Sequence, residues 1–220
     1  MRLSKEPDDL FGHSGPDAID FLQGQLTNDL GVLKEDADIF AAWCNPKGRV
    51  IWFGTVWNID GGYGLSVIAD MADDIVKRLT MFRFRSRVDF DILDEGRTVE
   101  ESFLVEHGFP WIGRSQSEQY TPHMLNLDLL GAVNFEKGCY TGQEIVARTH
   151  YKGATKRRTL KFEATEPVAE GEKVQLDGRA GGDVQNTAGT QLLAVVPVDK
   201  PDAGLAVGDI PFRSLQLPYF

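Results

Sequence analysis

The chain has 220 residues, 42% hydrophobic and 25% charged, with a formal net charge of -10 at pH 7. That length carries one large domain, or a medium domain plus a small one, and the composition excludes disordered, collagen-like and fibrous classes. No run nears the ~18 apolar residues of a spanning helix, the start MRLSKEPDDLFGHSG lacks signal and transit features, and there are only two cysteines; these traits predict a cytoplasmic protein with reduced thiols, no membrane contact and no direct contact with nucleic acid.

Ser14-Gly15-Pro16-Asp17 reads as a helix start capped by Ser14, with Ile19, Leu22, Leu26 and Leu30 on one face. Three strands with tight turns are predicted next: Ile39 to Trp43, Val50 to Trp57 and Tyr63 to Ala69, joined by Asn45-Pro46-Lys47-Gly48 and Asp60-Gly61-Gly62. Met71 to Phe82 returns to helical spacing, Val88, Phe90 and Ile92 alternate as a strand, and Thr98 to His107 forms a short helix stopped by Gly108 and Pro110. Gly113 to Gln119 is loop-like, and Met124 to Leu130 suits a buried helical turn. This layering is α+β.

Beyond Lys156 no helical period survives. The β-type runs Thr159 to Ala164, Lys173 to Leu176, Gln191 to Val198 and Phe212 to Leu217, separated by Gly, Pro and Asp, predict a small antiparallel barrel or sandwich. The expected division is 1–157 and 158–220. Two basic clusters, Lys77 to Arg87 and Lys152 to Arg158, fit either a solvated face or a hold on a small anion.

The densest chemistry lies in Phe135-Glu136-Lys137-Gly138-Cys139-Tyr140-Thr141-Gly142-Gln143-Glu144. Gly138 and Gly142 let the backbone turn and approach a ligand closely. Thr141 and Glu144 stand in capping-box spacing, which predicts a helix starting just after Cys139 and running through Ile145, Val146 and Arg148. A cysteine at a helix start, two residues from Lys137, is placed to ionise and act as a nucleophile. Cys44, beside Trp43 in an apolar run, reads as structural; a Cys44–Cys139 disulfide stays open. With scattered histidines and no Cys-x-x-Cys, no intrinsic metal site is predicted.

Lys137 to Glu144, continuing through Ile145-Val146-Ala147-Arg148 to Gly153 and Lys156-Arg157, resembles the signature of the YgfZ proteins and their mitochondrial iron-sulfur assembly relatives. Gly15-Pro16-Asp17-Ala18, Phe21 to Gln25, Thr27-Asn28-Asp29, Asn45 to Arg49 and Leu217-Pro218-Tyr219 extend the likeness to both ends. The resemblance implies the fold of the glycine-cleavage T-protein: a folate-binding domain with an antiparallel sheet and packed helices, followed by a small C-terminal β-barrel. It implies tetrahydrofolate or a derivative as ligand, and iron-sulfur enzymes, including radical tRNA-modifying enzymes, or their assembly factors as partners. It also implies a role for the motif cysteine. In this setting Cys139, Lys137 and Glu144 are the candidate reactive group, with Gly138, Tyr140, Gly142 and Arg148 as motif framework. Asn28, Lys47, Arg49 and Gln143 are the candidate folate anchors. The rival readings are a tetrahydrofolate-dependent aminomethyl or one-carbon transferase and a basic adaptor. The stretch Gly48 to Phe53 lacks the acidic residues T-proteins carry after this turn, which weakens the transferase reading.

Overall fold

A computed structural model describes residues 9–93, 99–153, 155–199 and 204–220. Its first part is a five-stranded antiparallel sheet of β1 (Asp9–Ser14), β2 (Asp38–Cys44), β3 (Val50–Ile59), β4 (Gly62–Val67) and β5 (Asp89–Leu93), in the order β2-β3-β4-β1-β5. The three expected central strands are present within two residues of their expected ends. The stretch before Gly15 is also a strand, so Ser14 ends β1 and does not cap a helix. Asp17 takes the cap position, but its carboxylate instead accepts from the Arg87 main chain and guanidinium.

Helix α1 (Ala18–Gln23) is shorter than its apolar spacing predicts. Leu26 leaves the helix to form a β-bridge with Trp43, and Leu30 opens a 3-10 turn. Both leucines still reach the same core, because they pack with Leu22, Trp43, Trp52, Leu65 and, from α2 (Ala72–Phe82), Ile75 and Leu79. The opposite sheet face buries Ala42, Cys44, Val50 and Phe53 under Ile112, Leu125, Leu127, Val133 and Val146. Alternation along β2 therefore sends Ala41 and Trp43 one way and Ala42 and Cys44 the other. Strands covered on both faces read as unbroken apolar runs, as β3 does.

Met124 to Leu130 is a chain of turns and not a helix: Asn126 has φ 57, and its amide nitrogen donates across to the Thr159 carbonyl at 2.7 Å. Helix α3 (Glu101–His107) ends at the left-handed Gly108, as expected; Thr98 lies outside the described residues.

The remainder is a closed barrel of β6 (Arg157–Ala164), β7 (Lys173–Leu176), β8 (Arg179–Ala188), β9 (Gln191–Pro197), β10 (Leu205–Val207) and β11 (Ile210–Leu215), in the order β10-β11-β6-β9-β8-β7. β8 and β10 were not anticipated, because Gly, Asp, Gln and Asn dilute the pattern of β8 and β10 is only three residues long. The barrel is bolted to the first part. Leu104, Val105 and Trp111 pack with Leu193 and Leu217, the Asn186 amide pairs with the Trp111 backbone on both sides, and Arg158 forms a bidentate ion pair with Asp128 at 2.8 and 2.9 Å.

Candidate functional site

Three segments far apart in sequence meet at one place: the end of α1 with the loop to Asp29, the β2–β3 turn Asn45 to Arg49, and the loop Asn134 to Gly142. The junction explains why these residue types stand where they do. Lys137 is buried, and its ammonium donates to the carbonyls of Gln23 at 2.7 Å, Leu26 at 2.7 Å and Asn28 at 3.0 Å. Those acceptors match the three protons of an ammonium. Burial pushes Lys137 down to about 8, while the Asp29 carboxylate acts in the opposite direction. The loop around it is shaped by Asn134, whose Oδ1 accepts from the backbone of both Glu136 and Lys137.

Gly142 and Gly48 are the second fastening. Gly142 has φ 82, and a Cβ there would lie 2.4 Å from the Asn45 carbonyl oxygen; Gly48 has φ 66 and abuts Ile145. Two backbones touch at a point that no side chain would permit. A third fastening joins Thr141, whose amide donates to the Gly24 carbonyl and whose hydroxyl reaches Gln25. Tyr140 is buried between these contacts, and burial pushes its hydroxyl ionisation upward.

Within this fixed loop Cys139 is exposed and unpaired, while Cys44 is fully buried and its thiol is pushed up to about 12 by burial. No disulfide joins them.

Two expectations about the thiol's surroundings change. Helix α4 (Gln143–Lys152) begins four residues after Cys139, capped by left-handed Gly142 with no side-chain cap, so Thr141 and Glu144 form no capping box. A glycine that must contact the Asn45 turn takes the cap position instead. Lys137, expected to support the thiolate, turns its ammonium inward to three carbonyls and anchors the loop.

The other expected site residues divide by placement. Asn28 is committed to structure: its amide donates to Phe40 at 2.7 Å and Gly131 at 2.9 Å, and its Oδ1 accepts from Asp29. Gln143 reaches the Lys137 carbonyl at 3.5 Å, Arg49 donates to the Gln119 carbonyl, and Lys47 is exposed on its turn. Gly138, Glu144 and Arg148 are exposed. Sequence reading missed Thr27, whose buried hydroxyl donates to Ala132 and accepts from Ala42, and Glu118, which accepts from Asn45 and pairs with Arg78. Thr27 gave no signal beyond its place in Thr-Asn-Asp.

A separate hollow of about 470 Å³ opens where β4, the segment after α3 and the barrel meet, lined by Ile68, Asp70, Trp111, Gly113, Arg114, Ser115 and Glu170. Its size lies in the range of small-molecule sites. None of the four expected anchors lines it. Among the described residues no three His, Cys, Asp or Glu side chains gather as a metal site, and no helix is long and apolar enough to cross a membrane.

No protein-family model matches the chain. It is 26% identical to the tRNA-modifying protein YgfZ of Hamiltonella defensa over 66% of this chain, a match that spans 64% of that relative's length. It is 28% identical to the tRNA-modifying protein YgfZ of Klebsiella pneumoniae, covering 83% of this chain and 77% of the relative. An uncharacterised protein of Haemophilus influenzae is 28% identical, with 93% of each chain covered. Among solved structures, the glycine cleavage system aminomethyltransferase T of Bartonella henselae superposes with a TM-score of 0.72 at 15% identity, covering 97% of this chain and 85% of that one. The resemblance to YgfZ proteins therefore holds over most of the chain, and the fold is that of a glycine-cleavage T-protein.

Proposed function

We propose that this chain is an accessory protein of the YgfZ type that supports the assembly or repair of iron-sulfur enzymes, among them enzymes that modify tRNA, through the thiol of Cys139 and with a reduced folate bound. One observation carries the reading: Cys139 points outward from a loop whose neighbours Lys137 and Tyr140 are buried. Such a thiol is accessible without being mobile, which suits attack on, or transient ligation to, a group on another protein. Its partner is a client enzyme and not a metal held by this chain alone.

Tetrahydrofolate or a derivative is assigned to the hollow lined by Trp111, Arg114, Asp70 and Glu170, where it would supply a reduced pterin. Arg114 already pairs with Asp74 at 2.5 Å, so its guanidinium is held in place before a ligand's carboxylate arrives. Asn28 is set aside as an anchor because its amide is engaged. Lys47, Arg49 and Gln143 are reassigned to the rim around the thiol, where a client would meet them.

Cellular rescue of an iron-sulfur tRNA-modifying enzyme tests the thiol, with titration calorimetry against tetrahydrofolate testing the ligand. The reading expects folate binding by wild type and Cys139→Ala alike, rescue by wild type, and none by the variant. Full rescue by Cys139→Ala removes the thiol from the mechanism.

The T-protein fold keeps a second reading in view, a one-carbon transferase. It expects turnover of an aminomethyl or methyl donor and tolerance of Cys139→Ala. Against it, Val50 to Phe53 at the start of β3 are apolar and buried, so no carboxylate is available there.

A further inference from the structure

The surface at the end of α2 carries features that neither the thiol loop nor the folate hollow uses. Phe84 is 88% exposed and adopts φ 44, a left-handed conformation unfavourable for an aromatic residue. Met81, 68% exposed, and Phe82, 36% exposed, stand beside it. An aromatic side chain held outward in a costly backbone state, among other exposed apolar groups, marks a contact surface.

Next to this knob lies an open hollow of about 750 Å³, lined by Asp17, Asp20, Phe21, Phe84, Arg85 and Ser86. Most cations of the Lys77 to Arg87 run are already matched: Arg78 pairs with Glu118 at 3.0 Å, Arg83 with Asp89 at 3.5 Å and Arg87 with Asp17 at 3.3 Å. A face so neutralised is a poor track for a phosphate backbone. Two charges remain on the rim. Among the described residues Arg85 and Asp20 enter no ion pair, and both line the hollow.

Knob beside hollow, and cation beside anion, on a single patch is the arrangement a two-fold interface requires, because the same surface must complement itself. We propose that this face pairs with a second copy of the chain, Phe84 of each copy entering the other's hollow and Arg85 of each facing the other's Asp20. The aromatic side chain is the anchor and the charge pair sets orientation.

Sedimentation velocity of the purified full chain over a series of micromolar concentrations tests this. The expected result is a concentration-dependent monomer–dimer equilibrium. Phe84→Asn keeps a residue that tolerates left-handed backbone but removes the knob, and it weakens dimerisation at least about tenfold with the circular dichroism spectrum unchanged. Arg85→Glu and Asp20→Arg each weaken it by a similar factor, and the variant carrying both recovers it. Recovery also shows that neither reversal acts by unfolding. A chain that stays monomeric at every concentration overturns the proposal, as does a dimer insensitive to Phe84→Asn or a double variant that fails to recover.

Discussion

Cys44 and Cys139 lie on either side of one packing boundary. Cys44 ends β2 at a register shift against β3 and is sealed with Val50, Phe53, Leu125, Leu127 and Val146. Cys139 sits in a loop without regular structure, yet that loop is held by at least three carbonyl contacts to one ammonium and by a glycine pressed on the Asn45 turn. Regular structure conceals the inert sulfur, and irregular but anchored backbone presents the accessible one. Rigidity at a site thus comes from polar fastening of a loop as much as from a helix or a strand.

The contrast is largest in reactivity. Under native conditions at pH 8, iodoacetamide should label Cys139 alone, with Cys44 slower by a factor of about a thousand or more. Labelling of Cys44 needs local opening of the core, and a thiol pushed up to about 12 has only roughly one thiolate in ten thousand molecules at that pH. Peptide mass spectrometry reads both sites at once, and equal labelling would erase the distinction.

Removing the inner fastening comes next in size. Lys137→Met leaves the Gln23, Leu26 and Asn28 carbonyls without their donor, an expected loss of about 3 kcal/mol in urea denaturation, given ~1–3 kcal/mol for each stranded buried group and partial relaxation. Were Lys137 an electrostatic helper of the thiol instead, stability would barely move and only the Cys139 labelling rate would fall.

Lys137 also shows where sequence reading succeeds and where it stops. Its motif pointed to the right segment, and the apolar runs of β2, β3 and β4 located the sheet, because burial imposes a pattern that each strand carries in itself. The direction of the Lys137 side chain is decided by carbonyls more than a hundred positions away, and no local pattern encodes that. The early helix start failed for the same reason. Thr141 and Glu144 have capping-box spacing, but the tertiary contact between Gly142 and Asn45 fixes where α4 can begin. β8 stayed invisible because polar residues occupy its core positions: the buried Asn186 amide pairs with the Trp111 backbone, and the buried Gln185 accepts from the Thr159 hydroxyl through its Oε1.

Gly142→Ala addresses the contact between the two regions directly. Its added methyl would meet the Asn45 carbonyl at 2.4 Å in a left-handed backbone, so a loss of about 2 kcal/mol is expected. Because Asn45 follows Cys44, the displaced turn should expose that sulfur, and Cys44 labelling should rise while Cys139 labelling stays high. Stability lost with no gain at Cys44 would mean that the turn moves without opening the core.

The smallest effect is set by pH. His123 is buried beside Phe135 and His150, and neither ring nitrogen has a hydrogen-bond partner within the described residues. Burial holds its proton affinity below the ordinary histidine value of 6.5; Asp128 opposes this, while Arg158 and His150 add to it. The unfolded chain therefore binds a proton that the folded chain refuses, and stability falls as pH drops below about 6.5, by at most ~1.4 kcal/mol per pH unit. The carboxylates of Asp29 and Glu118, lowered first by hydrogen bonds from Gln23 and Asn45, give up their contribution only further down, as pH falls below about 4. Urea midpoints between pH 7 and 5 should decline in wild type and stay flatter in His123→Gln. Phe135 and Met124, next to His123, help cover the core that holds Cys44, so protection of that buried sulfur should weaken over the same window. Cys139, fastened through Lys137 and Gly142, should keep its accessibility there, and a parallel change at both sulfurs would show that His123 supports the whole loop and not the buried side alone.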